Sequence, residues 1–302
     1  MNSNLKQTAV STVLTPPMSE SSLQSDHSTA LGAQTVKFTI VTPTLNAAKY
    51  LPECLESIEQ QRSQGIEIEH LVLDGGSTDE TLDILDAASV VRVPRGKKDG
   101  VIRAMCLGYE AASGDLISFL GADDVLLPGA LSAVAETWRR EQRSLVLCRS
   151  RWTDGALNSL GELAPAPRWL TASIHASLGW NYLGAANTFI TPALYRELGG
   201  FDETLRRSED YEFFTRCLAR QVPFSRVNQA VCLFRRHGEN ASLQHDETYA
   251  ADLARICRDY GPSSQSLAKF YGNAFRAWIY LRNPSWSAHQ LRRKLGERRW
   301  RG

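Results

Sequence analysis

Two adjacent carboxylates, Asp123 and Asp124, close the apolar run Ser118-Phe119-Leu120-Gly121-Ala122, and Pro128 follows at the start of the next helix. Strand ends of open α/β sheets are where ligands bind. Neighbouring aspartates repel each other and are costly to desolvate, and a cation relieves both problems. Magnesium is usually held by one or two carboxylates plus substrate phosphates, so the pair points to a metal–nucleotide complex. The bland alternative is the preference of helix N-termini for acids, worth roughly a few tenths of a kcal/mol. It accounts for one aspartate better than for two directly after a buried strand.

Four other groups carry chemistry-bearing side chains, each with a plainer reading beside it. Thr42-Pro43-Thr44-Leu45-Asn46 ends the first strand. A dinucleotide-binding fold would place a GxGxxG turn there, and Pro43 even removes a backbone donor; the alternative is a simple strand-to-helix turn. Asp74-Gly75-Gly76-Ser77 ends the second strand. Asp74 could accept hydrogen bonds from a base or ribose, or the segment is an ordinary turn with a helix cap. Ser208-Glu209-Asp210-Tyr211-Glu212 opens a helix. Its acids suit either a general base for a sugar hydroxyl or the first turn of a capped helix. Phe234-Arg235-Arg236-His237 follows a strand; arginines pair bidentately with phosphates and His237 could bind metal, or the segment is a solvated basic turn.

The elements that must position these groups alternate. Apolar strands are expected at 38–42, 66–73, 90–93, 116–120 and 145–148, and helices at 50–61, 80–88, 101–112 and 131–140. Ser77 or Thr78 is expected to cap the helix at 80–88. Such alternation predicts an α/β fold with a mostly parallel central sheet covered by helices on both faces. After Arg149 the pattern breaks into turns and short elements up to Asn187. Helices are expected again at 193–198, 211–220 and 246–259 and through most of the chain from Ser266. The stretch 224–234 reads as a hairpin or two short strands.

The chain of 302 residues suits one large domain with extensions, and its formal charge of +1 argues against a global nucleic-acid binder. Six cysteines without a CxxC pair read as reduced thiols of a cytosolic protein rather than a disulfide frame or zinc site. Residues 1–36 are rich in Ser, Thr and Gln and are expected to be a disordered tail without a signal peptide. No stretch approaches the ~20 apolar residues of a membrane span.

Taken in order, the segments 40–46, 73–81, 99–108, 114–124, 199–203 and 209–211 resemble the family-2 glycosyltransferases, the inverting group with the GT-A fold. The resemblance spans Lys37 to about Ser242. It implies a metal-dependent enzyme, using Mg2+ or Mn2+, that moves a sugar from a nucleotide-diphosphate donor to a glycan or lipid-linked glycan hydroxyl. By the resemblance Asp210 is the catalytic base with Glu209 beside it. Pro43, Thr44, Asn46, Asp74, Gly75, Asp99 and Asp123 line the nucleotide pocket. Asp124 is the nearer metal ligand, with Asp123 and His237, and Arg236 faces phosphate. It also implies a nucleotide-binding half at 37–149, an acceptor half at 150–245 and a helical basic extension at 246–302. Two departures stand out: Leu45 replaces an aromatic residue that can stack on the base, and Gly75 replaces an aspartate that contacts it. The DGGS form resembles a subgroup associated with surface-polysaccharide assembly, with UDP the expected nucleotide. The alternatives are a sugar-phosphate nucleotidyltransferase, which should carry a glycine-rich basic loop after the first strand, and a noncatalytic glycosyltransferase-like binding protein.

The C-terminus offers one more expectation. Residues 291–301 hold six Lys and Arg against Glu297 alone, with Leu291, Leu295 and Trp300 as apolar anchors and Trp278 and Trp286 just upstream. A basic helix with tryptophans can lie on an anionic leaflet, placing a cytoplasmic protein peripherally on the inner face of a membrane; a solvated tail or a partner helix is the alternative.

Overall fold

The computed structural model describes residues 35–94, 100–238, 240 and 246–299, with backbone alone for 293–299. One nine-stranded sheet organises them. Its left part is β3 (Val91–Arg92), β2 (Glu67–Asp74), β1 (Lys37–Thr44) and β4 (Leu116–Phe119), all parallel. The sheet continues through β8 (Thr188–Ile190), β6 (Leu145–Thr153), β9 (Phe224–Arg235) and β5 (Val125–Leu126), with β7 (Ser159–Leu163) paired to β6. β8, β5 and β7 run antiparallel to their neighbours, whereas β6 and β9 are parallel.

Period-two alternation feeds two cores. Phe38 and Ile40 of β1, Leu116 of β4 and Val146 of β6 face one layer; Val41, Ile117, Leu145 and Leu147 face the other. The first layer is filled by Cys54 and Ile58 of α1 (Leu51–Ser63) and by Leu131 and Val134 of α4 (Ala130–Glu141). The second takes Ile102, Met105 and Tyr109 of α3 (Val101–Ala111) and Phe213, Phe214 and Cys217 of α7 (Glu209–Ala219). A sheet buried on both faces needs apolar residues at nearly every strand position, which is why the strand runs are legible as continuous apolar stretches. Between α1 and α3 lies α2 (Thr81–Asp86); α5 (Ala172–Ala176) and α6 (Pro192–Glu197) precede α7.

Two sequence expectations change. The stretch 224–234 is neither a hairpin nor two strands but the single strand β9. Its register on β6 slips between Cys148↔Val227 and Arg149↔Ala230, leaving Asn228 and Gln229 as a bulge. That exposed polar pair imitates a turn in the sequence. Ser77 and Thr78 do not cap α2: its N-cap is Glu80, without a side-chain bond, and Asp79 Oδ1 accepts the Thr81 N–H at 3.1 Å.

The last three helices are α8 (Glu247–Tyr260), α9 (Gln265–Arg282) and α10 (Pro284–Arg299). Asn283, buried between α9 and α10, accepts the Ala164 N–H at 2.9 Å. Gly161 of β7 has φ +127, and a Cβ there would stand 2.4 Å from the Trp286 backbone, so α10 lies directly on β7. Trp278 and Trp286 pack against the second core, Trp278 on Phe275 at 5.1 Å and Trp286 on Tyr280 at 5.5 Å. The two tryptophans just upstream of the basic segment are thus partly buried against the core. Trp300 and Arg301 lie outside the described residues, and the side chains of Lys294 and Leu295 are not described. Among the described residues no helix is long and apolar enough to cross a membrane.

Candidate active site

The C-terminal ends of β1, β2 and β4 meet at one sheet edge, where Thr44 pairs with Asp74 and Val41 with Phe119. The strand order 3-2-1-4 puts a topological switch between β1 and β4, the crevice where open α/β sheets bind ligands. The Asp123-Asp124 turn leaves β4 into that crevice. Gly121 is required there: a Cβ would come within 2.6 Å of Asp123 Oδ1 and 2.9 Å of Asp124 Oδ2.

The two aspartates have opposite surroundings. Asp124 is 2% exposed, and its Oδ1 accepts the Arg235 N–H at 2.9 Å. Burial, then the Asp123 charge, pushes its carboxyl well above the usual range, with the Arg235 N–H pulling the other way. The Asp123 side chain is 30% exposed. Its Oδ2 lies 2.9 Å from His237 Nε2 and accepts the Asn240 amide at 2.9 Å. The His237 backbone N–H donates to Asn240 Oδ1 at 2.6 Å, and its imidazole packs on the Tyr50 ring at 4.8 Å.

Arg235 holds this arrangement from beneath. Fully buried, it donates Nε to the Asp123 carbonyl at 2.8 Å and a guanidinium nitrogen to the Gly155 carbonyl at 2.9 Å. It pairs with Glu53 of α1, and its guanidinium lies 4.5 Å from the Tyr50 ring centre. Arg236 turns the other way, over Trp152 at 5.4 Å.

The β1–β2 side is more closed than the sequence implied. Asp74 accepts from Thr44 Oγ1 at 3.1 Å, the Gly76 and Ser77 N–H groups at 2.8 and 2.9 Å, and Ser77 Oγ at 2.5 Å. A carboxylate has about four lone-pair sites, so its own turn uses them. Burial alone would raise its pKa; the Ser77, Gly76 and Thr44 donors bring it below the usual value. Gly75 is buried with its N–H on the Thr44 carbonyl at 2.8 Å. Asp74 therefore shapes the pocket wall at the end of β2. Pro43 is half-buried, and Leu45 and Asn46 are exposed at the rim. Asn46, at φ 49, accepts the Thr78 N–H at 2.8 Å, and its own N–H bonds Ser77 Oγ at 2.9 Å. Asp99 lies outside the described residues.

The acid pair of α7 forms a second centre. Ser208 occupies the N-cap position but makes no capping bond with its side chain. Glu209 is buried, with no partner for Oε2 among the described residues. Burial, then the neighbouring Asp210 charge, pushes its pKa up to about 8. Half-buried Asp210 is also raised, by burial, while donors from Tyr211, Asn181 and Ala185 pull it down. Ala185 also offers its carbonyl to Ser118 Oγ of β4 at 3.5 Å, tying this centre to the strand that carries Asp123. Two carboxyl groups in unlike settings divide acid and base roles: Glu209 keeps its proton, and Asp210, better supplied with donors, is the one suited to accept another.

Glu209 also sets a pH dependence. Its folded pKa, about 8, lies above its ordinary value of 4.5. The folded state then holds a proton that the unfolded state sheds, so stability present below 4.5 is lost as pH rises towards 8. Glu209→Gln should flatten that loss and melt above the parent at alkaline pH, by up to about 1.4 kcal/mol per pH unit of the window. Melting curves across the range check it; parallel profiles for the two proteins would contradict it.

Sequence reasoning missed Arg235 as a staple, Tyr50 as the His237 platform, Asn240 and Asn181. The His237 and Asp123 pairing was in reach, because both end apolar strands of one sheet.

Comparison with known proteins gives a consistent picture. The family model of glycosyl transferase family 2 matches residues 39–190. A PGL/p-HBAD biosynthesis glycosyltransferase of Mycobacterium bovis is 44% identical over 94 residues, 30% of this chain and 36% of that protein. A chondroitin synthase of Escherichia coli is 26% identical over 211 residues, 68% of this chain and 30% of that protein. The chain thus spans about a third of the length of these relatives. S. aureus TarS 1-349 in complex with UDP-GlcNAc superposes with a TM-score of 0.59 at 21% identity, covering 79% of this chain and 71% of that one. The mannosyltransferase PcManGT from Pyrobaculum calidifontis, in complex with GDP-Man and Mn2+, gives 0.54 at 17% identity, covering 85% and 74%. At those identities the likeness is one of fold, and the fold is GT-A. The sheet order, the acidic turn after β4 and a family match over half of the chain lead to one conclusion: this protein belongs to the family 2 glycosyltransferases.

Proposed function

We propose that this glycosyltransferase moves a sugar, with inversion, from a UDP-linked donor to a hydroxyl of a glycan or lipid-linked glycan during surface-glycan assembly. The observation that carries the reading is the Asp123–His237 pair, 2.9 Å apart at the mouth of the switch-point crevice. The TarS complex with UDP-GlcNAc supports the donor class, and the PGL/p-HBAD biosynthesis glycosyltransferase and chondroitin synthase relatives support the acceptor class. A cytoplasmic setting, where free thiols stay reduced, belongs to the same reading.

The residues fit a divalent ion, Mg2+ or Mn2+. Asp123 Oδ2, 30% exposed on its side chain, and His237 Nε2 would hold it, a carboxylate oxygen and an imidazole nitrogen side by side. No group of three His, Cys, Asp or Glu converges among the described residues, so donor phosphates would complete the shell. We assign the ligand role to Asp123 with His237, and give Asp124 the task of fixing the turn, because it is 2% exposed and its Oδ1 accepts the Arg235 N–H. Such an ion would offset charge building on the departing diphosphate. Asp210 takes the acceptor proton as the acceptor oxygen attacks the anomeric carbon; the sugar–phosphate bond breaks opposite, and one displacement inverts the centre. Arg236, which the sequence suggested for the donor's phosphates, lies over Trp152 instead.

The assignment has a direct test. Asp123→Asn should lose most manganese- or magnesium-stimulated donor hydrolysis and metal affinity. Asp124→Asn keeps an acceptor for the Arg235 N–H and should retain both. The reverse ranking, read by hydrolysis rate and metal titration, would return the ligand role to Asp124. A noncatalytic binding protein predicts no hydrolysis in any of the three proteins.

A further inference from the structure

We propose that the outer face of α9 docks on a bilayer that carries anionic lipid. α9 is apolar on two sides. Gly272, Phe275 and Ile279 are buried against the core. Leu267, Phe270, Ala274, Ala277 and Leu281 recur at three- and four-residue spacing on the opposite side, all exposed. Phe270 is 64% and Leu281 82% exposed. Trp169, half-exposed, stacks edge-on against Trp278 at 5.2 Å and widens the apolar face. Single exposed apolar residues are ordinary; a stripe along almost four turns of a helix needs a partner.

Charge says which partner. From Gly261 to the end, the sequence has nine Lys and Arg against one acid, Glu297. Every charged residue of α9 itself, Lys269, Arg276 and Arg282, is a cation. The stripe continues into α10 through Leu291, 60% exposed, followed by Arg292. A second copy meeting the same face would bring like charge against like charge. Residues 1–34 hold only two acids, Glu20 and Asp26, and offer no counter-charge. An apolar stripe bordered by cations, with a tryptophan at its edge, matches the acyl boundary and anionic headgroups of a leaflet. The anchors are thus Phe270 and Leu281, not the inward-turned Trp278 and Trp286.

This inference does not depend on the donor chemistry, and its test is binding. The full chain is sedimented with vesicles of phosphatidylglycerol and phosphatidylcholine in equal parts, and with phosphatidylcholine alone, at low and moderate salt. The expected result is binding to the anionic vesicles only, weakened by salt. Phe270→Ser with Leu281→Ser should weaken it at least about tenfold, at unchanged melting temperature and donor hydrolysis, since both side chains point away from the core. Three results overturn the proposal: no binding to anionic vesicles, binding that ignores the double variant, or a dimer in light scattering that the double variant dissociates.

Discussion

Replacing Asp210 with Asn should lower turnover about 100-fold or more, the usual contribution of a positioned base, while donor affinity stays at the parent value and the melting temperature does not fall, because a buried carboxyl with a raised pKa and its repulsion of Glu209 are removed. The proton concerned belongs to the acceptor, so the donor does not sense the change. The amide is isosteric and still accepts from Asn181 and Ala185, the groups that face Asp210. A structural role predicts the opposite pattern. Acids in the first turn of α7 complement its dipole, and losing only that would cost stability with nearly normal turnover. Rate, donor Kd and melting temperature measured on one preparation separate the two.

Removing the guanidinium beneath the acidic turn should have the largest effect on folding. Arg235→Met fills comparable volume but leaves the Glu53 carboxylate and the Asp123 and Gly155 carbonyls without their donor. Glu53 is half-exposed and can return to water, so the loss comes mainly from the two carbonyls left without a donor, about 1–3 kcal/mol each where they are buried. Arg235→Lys should recover little, because an ammonium cannot reach three separated acceptors in one plane. Denaturant titration checks the size of the loss. A Met variant as stable as the parent would mean that the turn is held by Asn240 and the strand ladder alone.

The arginine pair also marks how far the sequence could be read. Strands and helices of the first 150 residues were legible because a doubly covered sheet demands continuous apolar runs between amphipathic helices. Asp123, Asp210 and His237 stand out as candidates because acids and histidine at strand or helix ends have few structural uses. Arg235 and Arg236 are indistinguishable by type; only the course of β9 sends one under the Asp123 turn and the other over Trp152. Asp74 shows the same limit of residue type. Its type suits a nucleotide, but Ser77 and Gly76, close by in its own turn, take up its lone pairs. The bulge at Asn228 and Gln229 split one strand into two on paper. Asn181 lies in a turn-rich stretch without periodicity, where nothing local shows which residues reach Asp210.

The seating of Trp286 on Gly161 bears on how such an enzyme could be re-engineered. Acceptor preference is commonly altered by grafting one enzyme's second half onto another's first. In this chain the β7 hairpin, Asn283 and the start of α10 interlock. A chimera joined near residue 245 would pair a foreign hairpin with a native helix, or the reverse, and the 2.4 Å approach at Gly161 tolerates no added side chain. The transplantable cassette therefore begins before β7 and runs through α10, and a library that shuffles the C-terminal helices separately would be populated mostly by misassembled proteins.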